Sequence, residues 1–274
     1  MIIINKKILK KILLILALAC ITLPIHYADE KNTLSEREVL GIATMCYSNI
    51  PIENFSDPKE EKNFNAKWFG GYSSPEEFSE FKIEDYVINK SKKNMSGFSA
   101  ITYSKGDNII IAFRGTDDGI IKENWEYIIP KRQHPQAKYV AQYIEKIEKS
   151  NLIGENTKLY ITGHSLGGYL ATYATGIILK SDKLKKHFVK TTTFNALGLG
   201  YISNNQIKEN LKNIDKDKLI NYKIEGDIVS LIGKHFTDFI TLKNISAIDP
   251  ETPFIVNKNP HFLYHFFNQE PFLK

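Results

Sequence analysis

The sequence predicts an α/β layer fold with a central, mainly parallel sheet. Three observations carry that prediction. After residue 97 the apolar spacing switches repeatedly between the alternation of strands and the three-to-four spacing of helices. The stretch KLYITGHSLGGYLATYATG reads as a short apolar strand, a Gly-rich turn and a small-residue helix. Finally, 274 residues with 42% hydrophobic and 24% charged content can bury a full core, and no repeat, low-complexity tract or long linker divides them.

The first 28 residues stand apart. Lys6, Lys7, Lys10 and Lys11 precede an apolar run over 12–23 with no acidic residue, the pattern of a secretory signal. The run is short for a membrane span, which disfavours an uncleaved anchor. Ala28 offers one cleavage point, and Ala17-Leu18-Ala19-Cys20 resembles a bacterial lipobox with Cys20 as its lipidated residue. The expected organisation is a leader over 1–28 and one catalytic domain over 29–274. Removing four leader lysines lowers the formal charge from +5 to about +1, which removes the case for a nucleic-acid partner. Cys46 then stands alone, so no intrachain disulfide is expected, and an exported chain without one suits a bacterium.

The elements follow in order. Thr33 and Glu36 form a capping-box pattern ahead of the helical spacing in EREVLGIATMCYSN. Residues 51–95 are polar and Pro-rich, and read as loops with one or two short helices near 75–82. GFSAITYSKGDNIIIAFRGT predicts two strands joined at 105–108. Helical spacing returns over 135–149, a strand over 158–161, a helix over 166–179, and strands over 188–194 and 219–224.

Ser165 occupies the tip of the Gly-rich turn, within Gly163-His164-Ser165-Leu166-Gly167. A strand before the turn and a helix after it are what a nucleophile elbow requires. The glycines remove bulk where strand and helix nearly collide, leaving the serine hydroxyl raised at the helix N-terminus. The plainer alternative is that Ser165 caps the helix, but a cap needs no glycine cage.

A serine hydroxyl is a poor nucleophile without a base, and the base needs an orienting acid. Asp227 follows LINYKIEG at the C-terminal end of a predicted strand, where open α/β sheets place their sites. The alternative for Asp227 is a turn residue bonding its own backbone. For the base, His235, His261 and His265 all lie downstream of the acid. The Leu166 N–H can supply one oxyanion donor, and Thr116, at the end of NIIIAFRGT, sits where a second is needed.

The ordered set AFRGT, Asn124-Trp125, TGHSLGG and EGDIVS resembles the fungal-type (class 3) lipases, especially their bacterial branch, over residues 96–235. The resemblance implies an α/β-hydrolase-type three-layer fold. It also implies Ser165 as nucleophile, Asp227 as acid, and Thr116 as oxyanion residue beside Leu166. HFLYHF is similar to the family's terminal His followed by apolar and aromatic residues, which favours His261 over His265. The gap from Asp227 to His261 is shorter than that pattern, and the first 95 residues match no part of it. In relatives that act at lipid surfaces a mobile lid follows the oxyanion residue, and DDGIIKENWEYII over 117–129 is apolar enough to form one, or to be core.

The expectation is therefore a secreted or cell-envelope serine hydrolase of carboxylic esters, with an ester or lipid substrate and transient lipid-surface contact. No cofactor is implied, because neither HExxH, a His/Cys cluster nor a phosphate-binding loop is present. A thioesterase or amide hydrolase would use the same triad. A non-catalytic surface or adhesion protein is the alternative of a different class.

Overall fold

Seven strands form one sheet in sequential order. They are β1 (Lys82–Ile88), β2 (Ser99–Lys105), β3 (Asn108–Phe113), β4 (Lys158–His164), β5 (Phe188–Phe194), β6 (Leu219–Ile224) and β7 (Phe239–Leu242). β2 pairs antiparallel with both β1 and β3, and β3 through β7 are parallel. The computed structural model describes residues 32–47, 68–88, 97–116, 133–199, 202, 204–244 and 259–273. The chain divides into two units, Met1–Leu34, of which only 32–34 are described, and Ser35–Lys274, which carries everything below. The expected leader with Cys20, and the lid segment 117–130, lie outside the described residues.

The central strands are legible because they are apolar on both faces. All six residues of β3, NIIIAF, are buried, and so are six of seven in β4. One face, with Ile109, Ile111, Phe113, Leu159 and Ile161, packs against α2 (Ala137–Lys149), α3 (Leu166–Ile178) and α5 (Asn205–Lys212). A short α4 (Asp182–Lys185) leads into β5. α1 (Glu36–Met45) lies against β3 and β4. Strand alternation puts Ile110 and Tyr160 on the face that α1 covers. Helices on both faces of a mostly parallel sheet make the three-layer α/β architecture.

Two local readings are corrected, the capping box and the loop reading over 82–88, and two elements, α5 and β7, carried no expectation from sequence. The capping box is Ser35 with Glu38, not Thr33 with Glu36: the Glu38 N–H donates to Ser35 Oγ at 3.2 Å, and the Ser35 N–H to Glu38 Oε2 at 2.7 Å. Near 75–82 a 3-10 turn (Pro75–Phe78) runs into β1, a strand the composition hides. β1 and β7 are the sheet's two edges, one charged and the other four residues long, so neither shows a strong apolar run. α5 buries only Ile207 and Leu211, too few apolar positions to announce a helix.

Arg37 fastens three distant segments. Buried on α1, it donates through Nη1 to the carbonyls of Phe272 (2.6 Å) and Phe267 (3.3 Å). Through Nη2 it donates to the Tyr72 carbonyl at 3.1 Å and Glu77 Oε2 at 3.0 Å, and Nε pairs with the same carboxylate. The C-terminal tail thus carried inward packs Phe266 and Phe272 against Phe194, and Phe272 against Tyr222. Arg37→Met removes one member of a largely buried charge pair and the donors to three carbonyls. It is expected to lower unfolding free energy by about 3 kcal/mol, read from urea denaturation at pH 7.

Candidate active site

The turn after β4 is built around a close approach. A Cβ on Gly163 would meet the Gly167 carbonyl oxygen at 2.2 Å, and one on Gly167 the Phe113 carbonyl oxygen at 2.1 Å. Only hydrogen fits at either position, so α3 can start directly over the end of the sheet. Ser165 between them has φ 60° and ψ −126°, a conformation that costs a non-glycine residue on the order of 1–3 kcal/mol. Backbone bonds hold it there: its N–H donates to Phe194 O at 3.1 Å, and its carbonyl accepts from Gly168 (3.0 Å) and Leu197 (3.1 Å). Its side chain makes no cap bond to the helix. The hydroxyl instead lies 2.9 Å from His261 Nε2.

His261 Nδ1 lies 2.8 Å from Asp227 Oδ1. The carboxylate can only accept, so Nδ1 carries the proton and Nε2 presents a lone pair to the Ser165 hydroxyl. Asp227 is buried, which pushes its carboxyl up. Hydrogen bonds from His261 and from Ser230 outweigh this and leave it below the ordinary 3.8. The Ser230 N–H donates to Asp227 Oδ2 at 2.8 Å and its hydroxyl to the Asp227 carbonyl at 3.1 Å.

Of the three downstream histidines, His261 is the one between Ser165 and Asp227. His265 is buried and donates through Nε2 to the Asn259 carbonyl at 3.0 Å. His235 packs edge-on against Phe239 at 4.4 Å. Thr116 and Leu166 line the same cavity of about 360 Å³ as Ser165, Asp227 and His261. Leu166 is the first residue of α3, so its N–H precedes the helical hydrogen-bond ladder. The remaining cavity wall is mainly apolar, with Leu197, Ile228, Val229 and Ile232.

A family model described as Mbeg1-like matches residues 73–247, more than half of the sequence. The chain belongs to the Mbeg1-like family. That match spans β1 to β7, and with them Ser165 and Asp227, while His261 lies beyond it. No curated protein matches the sequence. Among solved structures, a mutant form of MDLA from Penicillium cyclopium is 14% identical with a TM-score of 0.52, over 82% of this chain and 83% of that one. M37 lipase is 17% identical with a TM-score of 0.50, over 72% and 69%. The lipase from Rhizopus microsporus var. chinensis is 16% identical with a TM-score of 0.48; the match covers 70% of this chain and spans 66% of that lipase's length. At such identities the first two likenesses speak for the architecture alone, and the Mbeg1-like chain has the α/β-hydrolase fold.

Three residues around the site carried no expected role from sequence: Tyr47, His164 and Asn195. His164 and Asn195 share one feature, a buried polar side chain at the C-terminal end of a parallel strand. Burial, with His261 alongside, pushes the His164 imidazole down to about 3. Burial likewise takes His134 and His235 down to about 4. Unfolded, each would bind a proton below its ordinary 6.5. Between those values the unfolded chain binds more protons than the folded one, so stability must fall as pH falls from about 6.5 towards 4. Asp227 adds a loss only lower, as pH drops through its depressed value. Urea midpoints at pH 7 and pH 5 check this; equal midpoints would contradict it.

Proposed function

We propose that the chain is a serine hydrolase of carboxylic esters. The observation that carries this reading is the hydrogen-bonded line from Ser165 through His261 to Asp227 on the wall of an apolar cavity. Ser165 Oγ attacks the ester carbonyl while its proton passes to His261 Nε2. The Asp227 carboxylate stabilises the imidazolium that results. The carbonyl oxygen becomes an alkoxide, with the N–H groups of Thr116 and Leu166 as its donors. Collapse breaks the bond to the leaving oxygen, which takes the proton from Nε2 and departs as alcohol. Water then repeats the sequence on the acyl-enzyme, releasing the acid and restoring the serine.

The cavity wall argues for a neutral, apolar acyl group, since Leu197, Ile228, Val229 and Ile232 offer it no charge. Ile228 and Leu231, on the turn that follows Asp227, are 71% and 68% exposed. Such side chains at the rim of an apolar cavity suit transient contact with a lipid surface. We assign export to the leader over 1–28, consistent with a site open to extracellular or envelope esters. Among the described residues no helix is long and apolar enough to cross a membrane.

Fluorophosphonate labelling tests the assignment directly. The wild-type chain should label covalently and Ser165→Ala should not. On p-nitrophenyl esters, Ser165→Ala should lose activity on the order of 10⁶-fold, and Asp227→Asn about 10⁴-fold. Equal labelling of both proteins would refute Ser165 as nucleophile. No labelling of either would favour the non-catalytic alternative.

A further inference from the structure

No described strand carries His261; it sits in the turn after Asn259, and a turn alone would leave its imidazole poorly fixed. Two buried side chains from the ends of neighbouring strands reach it. Asn195, directly after β5, donates from Nδ2 to the Pro260 carbonyl at 2.8 Å. His164, the last residue of β4, lies 2.6 Å through Nε2 from the His261 carbonyl. These carbonyls belong to the two peptide planes on either side of the His261 Cα. Each plane is rigid. Holding both fixes the φ and ψ of His261 and leaves only its side-chain torsions free.

Both anchoring groups are themselves oriented. The Asn195 Oδ1 accepts the Ile224 N–H at 2.8 Å, which forces Nδ2 towards Pro260 and ties the base turn to the strand leading to Asp227. Asn195 is wholly buried at φ 43°, a region asparagine tolerates better than most residues. A carbonyl partner requires His164 Nε2 to carry the proton, and burial keeps the ring neutral. Nδ1 therefore accepts, and the Tyr47 hydroxyl donates to it at 2.7 Å. Tyr47 Oη in turn accepts the Gly115 N–H at 3.1 Å, one residue before Thr116.

We infer that Asn195 and His164 are positioning residues that hold His261 in register with Ser165 and Asp227, with Tyr47 fixing the His164 tautomer and linking it to the strand end that carries Thr116. This rests on the ester-hydrolase reading of the site. In that reaction the imidazole takes a proton from Ser165 and returns it to the leaving oxygen. Backbone drift at His261 would lengthen both transfers.

The test uses the full chain with Asn195→Gly and Asn195→Asp. Glycine keeps the positive φ and deletes both side-chain bonds. Aspartate keeps the acceptor for Ile224 and removes the donor to Pro260. In each, kcat on p-nitrophenyl butyrate should fall on the order of 10²-fold with KM unchanged. The downfield proton resonance of His261 Nδ1–H, assigned by its loss in His261→Gln, should broaden or shift upfield. A sharp, unmoved resonance in both variants overturns the inference, whatever kcat does. A change in KM alone overturns it as well. If Ser165→Ala keeps full activity, the hydrolase reading falls while the resonance still decides the tether. If Ser165→Ala is inactive and both Asn195 variants match wild type, only the tether is wrong.

Discussion

The distance between α3 and the sheet governs this molecule. Because a Cβ on Gly167 would lie 2.1 Å from Phe113 O, the helix axis starts where a larger residue would push it away. That approach forces the chain at Ser165 into φ 60° and turns its side chain outward rather than back onto the helix. Strain at one residue is affordable because its neighbours over-determine it. Phe194 O, Gly168 N–H and Leu197 N–H all bond the Ser165 backbone. The same contact brings the first N–H groups of α3 beside the hydroxyl, so the two parts proposed as nucleophile and oxyanion donor share one cause.

From that point the site is assembled by strand ends. β4 delivers His164 and Ser165, β5 delivers Asn195, and β6 runs to Asp227. Parallel neighbours end on the same side, and the registers from β3 to β6 bring these ends together. The apolar cavity lies against that edge because the turn after Asp227 supplies Ile228, Val229 and Ile232. Asp227 lies just past the end of β6, its carboxylate bonded to His261 and to the Ser230 N–H.

What the sequence made legible follows from which forces act locally. β3 and β4 are apolar on both faces, and the Gly163-to-Gly168 spacing is itself a steric statement, so the fold and Ser165 could be read directly. Asp227 was readable from its place after LINYKI. Which histidine faces Ser165 was not readable from residues alone: three histidines satisfied chain order, and what separates them is packing. His265 turns to the Asn259 carbonyl and His235 to Phe239, neither of which any spacing encodes. The edge strands escaped for the opposite reason, since an edge is kept short or charged. Asn195 carried no expected role because its bonds run 29 residues forward to Ile224 and 65 to Pro260.

The tail explains how His261, outside the sheet, can be held against Ser165 at all. After His261 the chain buries Phe266, Phe267 and Phe272, and Arg37 closes on the carbonyls of Phe267 and Phe272. That anchoring, ring packing plus the Arg37 bonds, acts on residues beyond His261, and it fixes the tail to within packing tolerance but not the torsions of one residue. Directional bonds from Asn195 and His164 act at the residue itself, on its two flanking peptides. Coarse placement by burial and fine placement by hydrogen bonds are then separate layers. Loss of the Arg37 clasp would free the segment as a whole, whereas loss of Asn195 would leave the fold standing with a looser imidazole. An element brought to a site by its C-terminal packing needs both.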